Sequence, residues 1–276
     1  AMKLVKNFKF FFILLLTPLV SGLLSSEIPL GPEGKPDLNG VWQVMNRANF
    51  NLEAHSASAS LQLVDGPVVP LPHPDILALG SLGSVPAGLG VVEGGKIPYK
   101  KNALKIKVEN KKNWLERDPE IKCYLPGVPR ATYMPYAFQI FHSSKALFFA
   151  YEYAGATRNI FLEDPGPAPV DSWMGQSWGF WEDDTLVIKA SGFNGQTWFD
   201  RSGNYHSDKL KVTERYTLLN ANVMDYEALI EDEETFTRPW KIKMNLYKKI
   251  GDDAQLQQFK CVEFVEELIY GEWRAE

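Results

Sequence analysis

Residues that commonly build metal or redox sites are scarce in this sequence. It has two cysteines and four histidines among 276 residues, and no His-x-His or His-Glu-x-x-His motif occurs. A zinc site of the usual spacing is therefore not expected, and the alternative is a site assembled from distant residues such as His206, Asp200 and Glu214. The glycines of residues 80–95 lack the Lys-Ser/Thr ending of a phosphate loop. We predict no cofactor.

An excess of positive charge is also lacking. The chain has 29 basic and 34 acidic residues, for a net charge of -5, and its lysines form no basic block. Nucleic acid is therefore not an expected partner, because its phosphates are bound by broad cationic surfaces. The composition is 45% hydrophobic and 13% aromatic, which is enough for the core of a globular protein.

The N-terminus has no apolar run of transmembrane length. Three lysines precede an apolar run over residues 10–16, and small, helix-breaking residues follow it. This order predicts a signal peptide over residues 1–26 and a periplasmic or secreted protein. The run is well short of the roughly 20 residues that a membrane-spanning helix needs. The alternative is an uncleaved anchor over residues 8–24, which would hold the protein at a membrane.

Export changes the interpretation of Cys123 and Cys261. Two cysteines in an oxidising compartment usually pair, and closing so long a loop could stabilise the fold by roughly 4 to 5 kcal/mol. We therefore predict a disulfide. Two buried free thiols are the alternative, and a catalytic cysteine ranks third because neither residue lies in a nucleophile motif.

The rest of the chain reads as a short linker over residues 27–36 and a single β-rich domain over 37–276. Within that domain, residues 51–98 form an irregular arm rich in Gly, Pro and Ser, with no period of 2 or 3.6. Such a segment is uncommon unless it covers something, so it could be a lid, an arm packed against the barrel or a partner, or disorder. Its apolar content argues against disorder.

Residues 102–117 have strong helix formers and no internal Gly or Pro, which predicts one short helix. Leu104, Ile106 and Val108 nevertheless alternate as they would in a strand.

Short runs of alternating or aromatic residues separated by turns predict an antiparallel meander and a mainly β fold. In residues 240–247, apolar side chains alternate with Lys241, Lys243 and Asn245, so one face is expected in the core. The predicted strands are 41–45, 138–141, 146–153, 158–162, 185–190, 209–218, 224–231, 240–247 and 258–268.

Two resemblances bear on the fold. Gly40-Val41-Trp42 resembles the Gly-x-Trp that starts the first strand of lipocalin-like barrels, where the Trp closes one end of the barrel beneath an Arg. The resemblance implies a lipocalin-like barrel in which Arg215 or Arg274 covers Trp42, although the chain length and the arm depart from that family.

The second resemblance covers most of the domain. Residues 122–130, 173–182, 192–215 and 236–240 resemble a functionally uncharacterised family of exported bacterial proteins. It implies export and a β-rich domain, and it supplies no catalytic residue.

Glu214 is the first candidate site residue. The period of two places it with Leu210, Val212, Tyr216 and Leu218 on an apolar face, whereas Arg215 points the other way. A buried carboxylate must be paired, hydrogen-bonded or protonated, so Glu214 is either an internal ion-pair partner or a ligand-orienting or acid–base group.

A turn at residues 200–203 provides the second candidate. A hairpin there would bring Trp198 and Asp200 close to Tyr205 and His206. A carboxylate beside an imidazole can raise its basicity for general-base catalysis, or the pair can simply hold the loop in place.

Tryptophan is dense in this region, and it could form either the core or a pocket wall. The leading prediction is an exported protein that binds a small apolar or amphipathic molecule in a Trp-lined cavity. Its predicted ligand-binding residues are Trp173, Trp178, Trp198, Arg158, Arg215, Tyr216 and Trp240.

Two alternatives stay open. In the first, the same cavity belongs to a lyase, isomerase or hydrolase, with His206 as the base, Asp200 orienting it, and Glu214 or Arg158 holding the substrate. In the second, the chain is an accessory subunit or interaction module whose apolar arm docks onto a membrane complex.

Overall fold

A closed barrel of nine strands forms the protein in the computed structural model, which describes residues 28–58 and 85–262. The mainly β, lipocalin-like barrel that the sequence predicts is confirmed. The predicted signal peptide, the middle of the arm, Arg274 and the rest of the C-terminus lie outside the described residues.

The strands follow one another around the barrel in chain order. They are β1 Gly40–Val44, β2 Phe138–His142, β3 Leu147–Tyr151, β4 Thr157–Phe161, β5 Gln176–Glu182, β6 Thr185–Ser191, β7 Lys211–Asn220, β8 Val223–Glu231 and β9 Trp240–Lys248. The helices are α1 Lys101–Lys112, α2 Trp114–Arg117 and α3 Arg130–Tyr133, with single 3₁₀ turns at Pro32–Gly34 and Tyr153–Gly155.

The meander is mostly antiparallel, as predicted, with one exception. β4 and β5 run parallel, while the other neighbours, including β9 and β1, are antiparallel. Each antiparallel pair reverses the strand direction. Going once around a closed barrel must restore the direction of the first strand, so the number of antiparallel pairs is even. Nine strands therefore require an odd number of parallel pairs, and the crossover at residues 162–175 provides one.

Strand β5 was not predicted from the sequence, because large apolar residues face outward on it and small residues face inward. Its first two inward residues are the small Ser177 and Gly179, with Trp181 following at the end of the strand, and its outward residues include Trp178 and Phe180. A side chain at Gly179 would come within 3.0 Å of Ile160, so the interior has no room for a large residue there. The prediction of a strand at 258–268 is wrong over residues 258–262, which have no regular structure, and its remainder lies outside the described residues.

The barrel interior is packed with side chains. On β9, Trp240, Ile242, Met244 and Leu246 are buried and the residues between them face outward, which confirms the predicted alternation. Trp42 is fully buried, its indole Nε1 donates to the Leu38 carbonyl at 2.9 Å, and Lys248 Nζ lies 5.6 Å from its ring centroid. The cation beside Trp42 is therefore Lys248 rather than Arg215.

The described ends of the arm pack against the barrel. Lys243 N donates to Val91 O and Glu93 N donates to Lys241 O, each at 2.9 Å. β1 pairs with only the last part of β9, so the arm satisfies backbone groups on the remainder of that edge. An uncovered strand edge invites pairing with other chains, and the arm protects it.

Helix α1 confirms the predicted helix, which continues into α2 after a break at Asn113. Its C-terminal half packs through Asn110 onto Gly203, and Ala103 is also buried, whereas Leu104 and Val108 are exposed. The strand-like apolar alternation therefore serves no packing role.

Cys123 and Cys261 form a disulfide, as predicted, with their Cα atoms 5.7 Å apart. The bond ties the segment after β9 to the turn after α2, and Phe259 packs 4.5 Å from Tyr136 and 5.6 Å from Tyr153 between ring centroids. A stable disulfide fits a protein that works outside the reducing cytosol. Within the described ranges, no helix is both long and apolar enough to cross a membrane.

Candidate functional site

A groove opens where the parallel strands separate. β4 and β5 share only two register pairs, Ile160 with Ser177 and Phe161 with Trp178. Beside this short seam, the first residues of β4, the second half of the crossover and the start of β5 surround a groove of about 280 Å³. We call it the seam groove. Arg158 and Ser177 are the inward-facing polar residues that line it.

Arg158 forms a buried ion pair with Glu214 in the barrel interior. Its Nη2 lies 2.5 Å from Glu214 Oε2, and both side chains are at most 2% exposed. Glu214 Oε1 accepts hydrogen bonds from Tyr216 Oη at 2.9 Å and Tyr226 Oη at 2.8 Å. Strand parity predicted that Glu214 points inward, and this is confirmed. Arg158 balances its charge inside the barrel, as expected if Glu214 is an internal ion-pair partner.

The hydrogen bonds of this cluster are incomplete. Arg158 Nε donates to Ser177 Oγ at 2.7 Å, but Arg158 Nη1 and Tyr151 Oη make no hydrogen bond of good geometry, although the two side chains lie close enough to interact. The contact between Nη2 and Glu214 is close but poorly aligned for a hydrogen bond. Leaving a buried donor without a partner costs about 1 to 3 kcal/mol, so such an atom is an uncommon feature of a stable interior.

Burial and the ion pair set the charge states of the cluster. Burial lowers the pKa of Arg158, but Glu214 raises it more, and the net pKa lies above the usual value for arginine. Burial, with Glu214, raises the pKa of Tyr151 to about 12 and the pKa values of Tyr216 and Tyr226 well above 10. At neutral pH the tyrosines are therefore neutral donors around a single ion pair.

The predicted tryptophans do not share one cavity. Trp178 faces outward, 5.1 Å from the Phe180 ring centroid, whereas Trp240 is buried in the core against Phe199 and Phe236. The other two lie in loops: Trp173 packs 4.7 Å from Tyr124, and Trp198 pairs with Tyr205. Because side chains alternate along a strand, some of these tryptophans lie inside the barrel and others outside it. The prediction that they line one cavity is therefore corrected.

Arg215 also faces outward, as its parity predicted. Its Nη1 lies 2.8 Å from Glu182 Oε2, and both side chains are exposed. It therefore does not join Arg158 and Tyr216 at the buried cluster.

The hairpin predicted around residues 200–203 forms, but its carboxylate and imidazole do not pair. Asp200 is buried and accepts hydrogen bonds from Leu52 N at 2.8 Å, Asn204 Nδ2 at 2.6 Å and Ser202 N at 2.9 Å. Burial raises its pKa, and these donors oppose the rise. Asp200 thus connects the arm to the hairpin instead of orienting His206.

His206 has both ring nitrogens occupied. Nδ1 lies 2.8 Å from the Ser207 carbonyl and Nε2 lies 2.6 Å from Thr197 Oγ1. A carbonyl can only accept, so Nδ1 carries the hydrogen and Nε2 accepts from Thr197. Burial lowers the pKa of His206, which favours this neutral form. The catalytic roles assigned to His206, Asp200 and Glu214 remain predictions.

Sequence reasoning missed several partners in the buried cluster. Ser177, Tyr151 and Tyr226 contribute to it from three other strands. Strand parity could have placed Tyr226 inside, since it alternates with outward residues of β8 just as Glu214 does on β7.

A second buried charged cluster lies beneath the hairpin and was also missed. Arg130 Nη2 lies 2.5 Å from Glu120 Oε2, and Arg201 donates to Glu120 through two nitrogens at 2.8 and 2.6 Å. Arg130 Nε donates to Asn49 Oδ1 at 3.0 Å, and its Nη1 lies 3.5 Å from Asp118 Oδ1. We call these residues the corner cluster. They join four parts of the chain: the segment after β1, the segment after α2, helix α3 and the hairpin.

Two carboxylates of the corner cluster differ in acidity. Burial raises the pKa of Asp118 to about 6, and Arg130 only partly opposes this. Burial also acts to raise the pKa of Glu120, but Arg201 and Arg130 outweigh it and lower the pKa to about 2.

Among the residues that the structure describes, no group of three or more His, Cys, Asp or Glu side chains could hold a metal ion. Comparisons with protein-family models, curated proteins and solved structures found no match to this chain. The resemblance to an exported family therefore stays a prediction.

Proposed function

We propose that this protein is a periplasmic or secreted binding protein that holds a small, uncharged amphipathic molecule in the seam groove. The observation that carries the proposal is the buried Arg158 Nη1, which has no hydrogen-bond partner although its residue lines the groove. A ligand with an acceptor atom would complete the hydrogen bonds of this guanidinium.

Charge selects the kind of acceptor. Glu214 already balances the positive charge of Arg158, so a ligand carboxylate would add an uncompensated charge in a buried region. A carbonyl, ester or hydroxyl oxygen can accept the hydrogen bond without that cost. The groove also includes Phe161, Val170 and Met174, which suit an apolar body on the same molecule.

Binding requires the crossover to shift, because the Arg158 side chain is only 2% exposed. The crossover is held at Ser172, which exchanges backbone hydrogen bonds of 2.9 and 3.0 Å with Gly192 and Asn194. The Gln176 amide adds one bond, to the Gly166 carbonyl at 2.8 Å. A segment fixed by so few bonds can open at a lower free-energy cost than the barrel strands.

The enzyme alternative has weaker support. Its proposed base, His206, uses both nitrogens within the protein and does not belong to the lining of the seam groove. Catalysis there would first require breaking the bond to Thr197.

Displacement of the fluorescent probe N-phenyl-1-naphthylamine by monoolein and by oleate tests the proposal. We expect monoolein to bind more tightly than oleate. Replacing the ion pair with Arg158→Met and Glu214→Gln together should weaken monoolein binding by about tenfold or more, the effect of a hydrogen bond from a charged donor. The matched control is Arg215→Met with Glu182→Gln, which removes the exposed ion pair on the other face of β7.

Equal loss of affinity in the control would show that the seam groove is not the site. Tighter binding of oleate than of monoolein would contradict the charge argument. Mass spectrometry of molecules that co-purify with the exported protein provides an independent check, since an anionic or strongly polar occupant would also contradict it.

A further inference from the structure

The outer part of the crossover between β4 and β5 is stiff. Three of the residues 165–169 are prolines. Proline fixes its own φ and keeps the residue before it out of the helical region, so a proline-rich segment behaves as a semi-rigid rod. Gly166 interrupts this run with a φ of +77°, and a Cβ there would have no atom within 4 Å. Residues 167–171, which we call the flap, therefore extend as one stiff piece from a flexible point at Gly166.

The flap forms part of the wall of the seam groove. Ala168, Pro169 and Val170 line the groove together with residues of β4. Ala168 is half-buried, whereas the other flap residues are exposed, Val170 by 74%. Because little of the surface of the flap is buried against the barrel, lifting the flap costs little hydrophobic free energy.

Few bonds hold the flap in place. Among the described residues, no backbone–backbone hydrogen bond involves residues 163–171. The surface hydrogen bond from Gln176 Nε2 to Gly166 O restrains one end of the flap. The other end meets Ser172, the first residue of the crossover with backbone bonds to the barrel. A segment held so loosely between two attachments opens more readily than the strands around it.

The flap rests on Gly192. A Cβ at this position would lie 2.5 Å from the Cβ of Ala168, which is closer than two carbons can approach. The flap closes this far because residue 192 has no side chain. Gly175, at the end of the crossover, is packed on all sides that matter: a Cβ there would lie 2.7 Å from both Ser191 O and the Phe193 ring. The crossover is therefore fixed at Gly175 and loose at the flap.

We propose that the flap opens and closes the seam groove, bending at Gly166 and beside Ser172, with Ala168 against Gly192 in the closed position. Control of ligand entry by the flap rests on the function proposed for the groove, whereas the motion can be tested without a ligand. A ligand enters and leaves while the flap is lifted, so the flap sets both rates and the contact with Arg158 sets the affinity.

Thiol labelling of a cysteine in the groove measures the opening of the flap. Met174→Cys places a single free thiol among the lining residues, because the two native cysteines form the disulfide. Met174 is 7% exposed, so labelling by N-ethylmaleimide requires the groove to open. Adding Gly192→Ala, whose new methyl group holds the flap away, should speed labelling by at least about fivefold.

Two further variants show whether the contact at Gly192 is responsible. Gly94→Ala is the matched control, because residue 94 has a φ of +77°, close to the +74° of Gly192, and no atom within 4 Å of a Cβ. It should leave the labelling rate unchanged. Ala168→Gly removes the methyl group on the flap side of the contact and is the milder variant in case Gly192→Ala affects folding. It should speed labelling by a smaller factor, about twofold.

Stopped-flow mixing with N-phenyl-1-naphthylamine tests the effect on ligand entry. Gly192→Ala should raise the association and dissociation rate constants together, so that Kd changes less than either of them. Unchanged rate constants would overturn the control of ligand entry by the flap.

Equal labelling rates in Met174→Cys with and without Gly192→Ala and Ala168→Gly would overturn the flap itself. So would a change in Gly94→Ala as large as that in Gly192→Ala, since backbone strain alone would then explain the result. Faster labelling in a protein that binds no probe would support the flap and contradict the function proposed for the groove. Failure of the flap and failure of the binding function are thereby distinguishable.

Discussion

Arg130 and Arg158 are two equally buried arginines whose polar contacts differ. Each side chain is 2% exposed, and each lies 2.5 Å from a glutamate oxygen. Arg130 uses all three of its nitrogens on Asn49, Glu120 and Asp118, whereas Arg158 leaves Nη1 without a hydrogen bond beside a groove. The two arginines are therefore alike in burial and ion pairing and differ in how completely their nitrogens are bonded.

The largest expected effect comes from Glu120, which holds both Arg130 and Arg201. Glu120→Gln removes the carboxylate that Arg130 and Arg201 share, leaving Arg130 with only the longer ion pair to Asp118, and should lower the free energy of unfolding by about 3 to 5 kcal/mol. Urea denaturation under oxidising conditions measures it. Glu182→Gln is the exposed control, and an equally small change in both variants would show that the corner cluster does not stabilise the fold.

Asp118 should show a pH dependence opposite to that of Glu120. The pKa of Asp118 is raised to about 6, so ionising it destabilises the folded state as the pH rises from about 4 to 7. Asp118→Asn should therefore gain stability relative to the wild type over this range, by up to about 3 kcal/mol.

The pKa of Glu120 is lowered to about 2, so its stabilisation is present above about pH 4.5 and is lost as the pH falls towards 2. Denaturation midpoints of the wild type, Asp118→Asn and Glu120→Gln between pH 2 and 7 compare the two carboxylates. Parallel curves for the two variants would contradict this difference.

Removing the Arg158–Glu214 pair as a unit should cost less than breaking it. In Arg158→Met with Glu214→Gln, the new amide oxygen can still accept from Tyr216 and Tyr226, so a loss below about 2 kcal/mol is expected. Arg158→Met alone leaves a buried carboxylate unpaired and should lose more. Thermal and urea unfolding of both variants measure the difference, and a double variant as unstable as the single one would refute the idea.

The smallest effect is expected for the exposed pair of Arg215 and Glu182. Solvent screens this contact, so Arg215→Met with Glu182→Gln should change the free energy of unfolding by less than about 1 kcal/mol. The same urea titration applies. A larger loss would show that solvent exposure does not weaken this ion pair as expected.

Much of the fold follows from local patterns. Alternation with a period of two predicted the inward direction of Glu214 and the core face of β9, because the pleat of a strand is a property of neighbouring residues. Where the interior needed small residues, at Ser177 and Gly179, the same pattern failed and β5 was missed.

The sequence by itself determined that the chain forms a mainly β barrel, that its two cysteines pair, and that Glu214 is buried. Only the tertiary structure decided which partners meet: Arg158 with Glu214, Asp200 with Leu52, and Lys248 with Trp42. It also decided the parallel seam, because the direction of the strands is constrained only when the ring closes. Such contacts join distant parts of the chain, and no local period encodes them.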